Sequence, residues 1–302
     1  MKSYALIVNP CSGRGRGVRK AEELRRGLRD ASEVQLLLTG GRGDATAIAA
    51  EVAASVDRVI AIGGDGTLHE VLNGLMDSRI QPEDRPDLGF LPAGTANVAT
   101  RAFRLGSDPT LVGTALANAE ATAIDVGMVD YEGGRRAFLL WCGAGWDAVI
   151  IHALNASRSG LMGVFGLLRR LPQVVGAVVR YDQPRIFAVV DGVQLGGLGS
   201  VIVANVGEIG FGGLVTDAAD PADGRFNVVG VPPSTALGSI GLGFRMMVSS
   251  LSRSSAVYHE PGREITLRAE GEVPFQLDGE PVGMLPATVT LMQGAVRILR
   301  SK

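Results

Sequence analysis

The chain has 302 residues, 46% of them hydrophobic and only 20% charged, which is enough apolar material for one large core or two moderate ones; two domains are the expectation. Lys and Arg number 29 against 31 Asp and Glu, a formal charge of −2, and this excludes a global pull toward nucleic acid or an anionic membrane. The two cysteines, Cys11 and Cys142, make neither a disulfide framework nor a zinc pattern and fit a reducing, cytoplasmic setting.

The opening residues MKSYALIVNP are too short in apolar length for a secretory segment and read as a first strand. From residue 4 to about 122, short β-branched runs alternate with helical ones, the signature of a parallel α/β sheet. YALIVN, EVQLLLT, RVIAIG and LGFLPA are the strands. Segments 17–31, 44–55, 67–77 and 108–120 carry helical periodicity. Ligands of open α/β sheets bind at the carboxyl ends of strands, where this chain places Gly, Pro and Asn clusters.

After about residue 123 the texture changes to short apolar runs separated by Gly, Asp and Pro: AIDVGMVDY, RRAFLLWCG, RIFAVVDG, VIVANVG, FNVVGV, EITLRAE, FQLDGEPVG, ATVTLMQ and AVRILR. Many closely spaced short strands predict an antiparallel sandwich. Helical insertions are expected at about 157–180 and 235–252. The division is thus an α/β domain over 1–123 and a sandwich domain over 124–302, with a tail of about 291–302 expected to pack back on the first. No run reaches the roughly 18 uninterrupted apolar residues that a membrane span needs.

The densest motif is IAIGGDGTLHEVLNGL at 60–75, a strand entering Gly63-Gly64-Asp65-Gly66-Thr67 and then a helix. Glycines admit an oligophosphate close to the backbone, the turn and helix N–H groups point at the anion, and Asp65 stands at the mouth. A carboxylate beside a triphosphate suggests phosphoryl transfer. The loop Asn9-Pro10-Cys11-Ser12-Gly13-Arg14-Gly15-Arg16-Gly17 could hold phosphates through its N–H groups, Ser12 and an arginine, or be simply a solvated basic loop. Pro92-Ala93-Gly94-Thr95-Ala96-Asn97 gives a third glycine turn. Asp278-Gly279-Glu280 is either a late acidic site or a hairpin turn with an exposed Glu280. His69, His152 and His259 lack ligand spacing, with His69 read as a polar-face residue. Trp141, Cys142 and Trp146 read as core.

Together these motifs resemble the diacylglycerol kinase catalytic-domain superfamily, which takes in bacterial soluble lipid kinases, sphingosine kinases and ceramide kinases. NPxSG at 9–13, Thr39 with Asp44-Ala45, GGDGTxxEVxNGL at 63–75, PxGTxN at 92–97, Asp125-Val126-Gly127 and DGE at 278–280 stand in family order along essentially the whole chain. Residues 218–229, after Gly212-Gly213, look like a further family stretch. The resemblance implies a nucleotide domain related to those of phosphofructokinases and NAD kinases, a C-terminal sandwich, and bound ATP with Mg²⁺. Carried over by position, Asp65 is the general base or metal-organising acid and Glu280 its acidic partner. Asn9, Ser12, Gly13, Arg16, Thr39, Gly63, Gly64, Gly66, Thr67, Gly94, Thr95 and Asn97 are nucleotide-binding. Asp147 matches a lipid head-group position, although it could equally cap the helix that follows. Asp125 and Asp223 match metal-associated positions. The chain departs from many bacterial members at Val98, where they carry Asp.

The implied activity is transfer of the γ-phosphoryl group of ATP to a hydroxyl of a diacylglycerol-like or sphingoid lipid, with transient residence at the inner membrane surface. An NAD kinase sharing the GGDGT loop, and a non-catalytic nucleotide or lipid sensor, are the alternatives. GLMGVFGLLRRLPQVVGAVVR at 160–180 could meet a membrane or line a lipid channel, or be an ordinary packed helix. A sandwich edge offers a route to a homodimer.

Overall fold

The computed structural model describes the chain apart from residues 29–30, 78–79, 95, 118–119, 157–163, 211–212, 236–237, 239–240, 242–244, 246–250 and 301–302. The expected helical insertion at 235–252, the start of that at 157–180, Thr95 and Gly212 therefore lie wholly or largely outside the described residues. The chain divides into two compact units, Met1–Ile124 with Gln293–Lys302, and Asp125–Met292.

In the first unit β1 (Ser3–Val8), α1 (Gly17–Gly27), β2 (Glu33–Leu38), α2 (Asp44–Val52), β3 (Arg58–Gly63), α3 (Asp65–Asp77), β4 (Asp87–Pro92), α4 (Val98–Ala102) and α5 (Pro109–Ala117) follow one another. The strands pair in parallel in the order β2-β1-β3-β4. Every residue of β3 is buried, as are Tyr4–Val8 of β1, which is why both read as continuous apolar runs: helices cover the two faces of a parallel sheet. One core cluster packs Leu6, Val8, Ile60 and Ile62 of the sheet against Ala21 and Leu24 of α1 and Val112 and Leu116 of α5.

The second unit begins within β5 (Glu120–Tyr131) and continues through β6 (Gly134–Phe138), β7 (Trp141–Gly145), α6 (Trp146–Ala156), α7 (Val164–Arg180), β8 (Ile186–Val190), β9 (Val193–Leu198), β10 (Ser200–Ala204), the short β11 (Glu208–Ile209) and β12 (Gly213–Leu214), β13 (Phe226–Val231), β14 (Tyr258–Gly262), β15 (Glu264–Ala269), β16 (Pro274–Leu277), β17 (Glu280–Met284) and β18 (Ala287–Arg300). One antiparallel layer runs β14-β13-β10-β7-β16-β17, and the other contains β9, β8, β15 and the first half of β18. Side chains from both layers share a core: Ile186, Ala188, Ile265 and Val289 from one, Cys142, Val201, Phe226 and Phe275 from the other. A sandwich is the result.

Two details depart from the sequence reading. RRAFLLWCG is two strands, because the Asp278 carboxylate takes the N–H groups of Leu139, Leu140 and Trp141 and ends one ladder before the next begins. ATVTLMQ and AVRILR are a single strand, β18, carrying Gly294 at φ 58°. Its far end returns to the first unit, where Ile298 pairs in parallel with Leu88.

Candidate active site

The carboxyl ends of β1, β3 and β4 carry three turns that are tied to one another. Ala93 and Gly94 donate to the Gly63 carbonyl at 2.6 and 3.1 Å, and the Asn9 N–H donates to that of Ile62 at 3.0 Å. The Asn9 amide also reaches the Thr67 hydroxyl at 3.4 Å. A Cβ on Gly94 would lie 2.6 Å from the Gly64 Cα, and one on Gly13 would lie 2.5 Å from the Ala93 carbonyl oxygen. Only residues without a side chain let these backbones approach so closely, and the concavity they leave is lined by backbone.

Asp65 opens α3 and is half-buried. Its two carboxylate oxygens accept the N–H groups of Val98 and Ala99, each at 3.1 Å, so the acid of the second turn braces the start of α4 behind the third. Gly66 and buried Thr67 follow in the first turn of α3. Asn97, at φ 46°, donates from its amide to the Gly94 carbonyl at 2.9 Å. Its Oδ1 is buried and has no hydrogen-bond partner among the described residues, an acceptor suited to something that enters the site.

On the other flank Ser12 is committed to its own loop, donating to the Asn9 carbonyl at 2.7 Å. Arg16 donates to the Gly13 carbonyl at 2.8 Å. A recess of about 170 Å³ is lined by Arg16, Lys20, Ala93, Gly94, Asn97 and Ser107, among others. Lys20 donates to the Pro92 carbonyl at 2.6 Å, and burial first, then the neighbouring Arg16 charge, lowers its pKa. Thr39 is buried at the end of β2, its N–H on the Val8 carbonyl. The Asp44 carboxylate receives the N–H groups of Gly40 and Gly41.

The second unit holds a polar cluster of its own. Asp147, in the first turn of α6, is buried and accepts from the Ser200 hydroxyl at 3.1 Å and the Gln276 amide at 3.3 Å. Burial raises its pKa to about 6. The Gln276 side-chain Oε1 accepts the Gly279 N–H at 2.8 Å, which links this cluster to the Asp278-Gly279 turn, where both residues have positive φ. That turn joins β16 to β17 as a hairpin, and Glu280, its first strand residue, is half-buried. Tyr181 has a buried hydroxyl with no partner among the described residues; burial and the Asp147 charge push its pKa up to about 12.

Asp125 and Asp223 belong to one loop system. The buried Asp125 carboxylate takes the Gly224 N–H at 2.7 Å, and its own N–H reaches the Pro221 carbonyl at 2.7 Å. Asp223 accepts the Arg225 N–H at 3.0 Å. Among the described residues no three His, Cys, Asp or Glu side chains gather as a metal cage. The donors that are present suit an ion carried largely by phosphates and touched by one or two carboxylates.

Residues 3–129 match the family model described as the diacylglycerol kinase catalytic domain, and residues 141–300 match that of the YegS C-terminal NAD kinase β-sandwich-like domain. The chain belongs to the diacylglycerol kinase catalytic-domain superfamily. It is a lipid kinase. The diacylglycerol kinase of Staphylococcus haemolyticus is 29% identical to it, over 100% of this chain and 89% of that protein. That of Staphylococcus carnosus is 26% identical, over 100% and 96%. A crystal structure of a diacylglycerol kinase from Bacillus anthracis superposes with a TM-score of 0.76 at 22% identity, covering 99% of this chain and 96% of that one; this likeness concerns the fold.

In this lipid kinase the structure brings together Asn9, Gly13, Gly63, Gly64, Asp65, Thr67, Gly94 and Asn97. It places Asp147 two hydrogen bonds from the turn that carries Glu280. Three participants were not singled out from the sequence. Lys20 lies eight positions past Ser12 and reaches the site from the fourth residue of α1. Ser200 and Gln276 are polar residues in strands that are otherwise buried and apolar, and that interruption was their signal. His69, expected on a polar face, is buried; its side chain lies 3.4 Å from the Asn73 amide.

Proposed function

We propose that this lipid kinase uses ATP and Mg²⁺ to phosphorylate a hydroxyl of a diacylglycerol-like or sphingoid lipid, with the three linked glycine turns receiving the nucleotide and Asp65 serving the acceptor. The observation that carries the reading is the seam between turns: glycines packed without room for a Cβ, and Asn97 Oδ1 buried without a partner beside them. These features fit a nucleotide, whose phosphates need close backbone approach and whose amine or ribose hydroxyls can supply the missing donor. Arg16 and Lys20 add positive charge to the same recess.

A magnesium ion, when bound, would shield the phosphate charge, with Asp65 as a candidate carboxylate of the first unit. In the reaction the lipid oxygen bonds the γ-phosphorus as the bond to the leaving β-phosphate oxygen breaks, ADP departs, and the hydroxyl proton passes to a carboxylate. Asp65 suits that duty because it opens α3 at the end of β3, with its carboxylate oriented by the N–H groups of Val98 and Ala99. In the second unit, Asp147, Ser200, Gln276 and the Tyr181 hydroxyl form a buried polar set that suits a lipid head group.

The test is transfer of label from ATP with Mg²⁺ to a panel of diacylglycerol, sphingosine, ceramide, phosphatidylglycerol and monoacylglycerol in micelles, with NAD and Asp65→Asn protein as controls. Label on one lipid class, absent with the variant, is the expected result. Label on NAD alone would replace the acceptor, and bound ATP with no labelled product would favour the sensor.

A further inference from the structure

A buried polar group in a folded protein almost always has a partner, because leaving one without costs stability. The Tyr181 hydroxyl departs from that rule: its oxygen is buried and bonds nothing among the described residues. The segment that carries it is restrained on both sides. Tyr181 follows Arg180, the last residue of α7, and its N–H donates to the Val178 carbonyl at 3.3 Å. Two residues on, the Gln183 amide donates to the Ser234 carbonyl at 2.7 Å, and the Ser234 N–H donates to Gln183 Oε1 at 3.2 Å.

Burial first, and then the Asp147 charge, raise the Tyr181 pKa to about 12, so at neutral pH the hydroxyl keeps its proton and is available as a donor. Asp147 is already supplied with donors. Its Oδ1 accepts from the Ser200 hydroxyl and its Oδ2 from the Gln276 amide, in a space that exists because residue 143 of β7 is glycine. A Cβ there would overlap Asp147 Oδ2 and stand 2.7 Å from Gln276 Nε2. The two groups therefore ask different things of a ligand. An ionised carboxylate only accepts and suits a hydroxyl, whereas a protonated phenol without a partner calls for an oxygen with free lone pairs. A partly acylated glycerol brings both within a few atoms, a free hydroxyl and an ester carbonyl. A sphingoid base has no carbonyl, and its ammonium only donates.

We propose that the Tyr181 hydroxyl is a specificity-determining donor of the head-group site, bonding an ester carbonyl of an acylated glycerol while Asp147 accepts from a hydroxyl of the same head. The inference rests on the head-group reading of the Asp147 set and deepens it: of diacylglycerol-like and sphingoid lipids, it selects the first. A site built to bond one substrate group discriminates against analogues that lack it.

The test is Tyr181→Phe, which keeps the ring and removes the oxygen. In the free protein this deletes a buried hydroxyl that bonds nothing, so the midpoint of denaturant unfolding should stay where it is or rise. With short-chain diacylglycerol the KM for lipid should increase about five- to tenfold while that for ATP is unchanged. With the dialkyl ether analogue, which lacks both carbonyls, wild type should show that loss itself and the substitution should add little, the non-additivity expected of a direct bond. Calorimetric binding of both lipids without nucleotide gives the same comparison apart from turnover. Equal losses on the two lipids, no loss on either, or wild-type protein that binds neither would overturn the proposal. So would a variant clearly less stable than wild type, since the hydroxyl would then be bonded in the free protein, or a sphingoid base preferred as acceptor. Carbonyl-dependent binding that responds to Tyr181, with no lipid labelled, would count against the proposed reaction and leave the Tyr181 assignment standing.

Discussion

Asp65, the proposed catalytic acid, also braces Val98 and Ala99, and a single substitution separates the two parts poorly unless both are read. Asp65→Asn exchanges an acceptor for an NH₂ group facing the N–H groups of Val98 or Ala99. It should abolish turnover and also cost about 1–3 kcal/mol of stability through the unmade bond. Denaturant unfolding alongside the phosphoryl-transfer assay checks this, and loss of activity at unchanged stability would mean that the brace contributes little. Asp147 makes a prediction of opposite sign. Its folded pKa is raised from 3.8 to about 6 by burial, so the folded state binds the proton more tightly. The stabilising contribution is complete below the unfolded value and disappears as pH rises through about 6, a swing on the order of 3 kcal/mol. Asp147→Asn should therefore flatten the stability profile between these values and be neutral or stabilising in mild alkali. A variant that unfolds more easily there would show that the hydrogen bonds from Ser200 and Gln276 outweigh the burial of charge. Asp278 was legible as part of the DGE motif and of an Asp-Gly turn, but not as an acceptor of distant backbone N–H groups. Its three backbone partners lie well over a hundred residues away, and no local pattern announces a bond of that range.

At the scale of elements, local signals served well because the elements here obey local rules. The GGDGT turn and α3 were readable since a glycine cluster between an apolar strand and a 3.6-residue period has few other uses. The buried strands of the parallel sheet were readable as uninterrupted β-branched runs. Less visible was how closely α2 and α3 approach. Gly74 lies within α3, where alanine would ordinarily gain about 1 kcal/mol in helix propensity. A Cβ there would be 2.2 Å from the Thr46 carbonyl oxygen and 2.7 Å from the Ala49 Cβ. The steric term wins, and Gly74→Ala should destabilise by about 1–3 kcal/mol, measurable by thermal or denaturant unfolding; a stabilised variant would show that the helices can slide apart freely. The weakly patterned β9 and β14 escaped the sequence reading because Val193, Tyr258 and their neighbours alternate poorly and are largely exposed.

For the whole molecule, each of the two units has its own core, and the optical probes divide between them. Trp141 and Trp146, the two tryptophans, are buried in the second unit, whereas α1 to α5, the larger share of the described helix, belong to the first and only α6 and α7 to the second. If nucleotide enters through the glycine turns, ATP with Mg²⁺ should raise the midpoint of the helical circular-dichroism transition more than that of tryptophan emission; at about a hundred times Kd the linkage is worth about 3 kcal/mol. A shift in tryptophan emission alone would move the nucleotide out of the first unit. By itself the sequence determined the fold class and the family, because parallel strands, glycine turns and short sandwich strands are specified by residues close together along the chain. The tertiary structure alone decided that Asp65 braces Val98 and Ala99, that Lys20 borders the recess beside Gly94 and Asn97, and that Ser200 and Gln276 hold Asp147. Hydrogen bonds and burial between sequence-distant groups depend on which backbones are brought within about 3 Å, and periodicity carries no information about that.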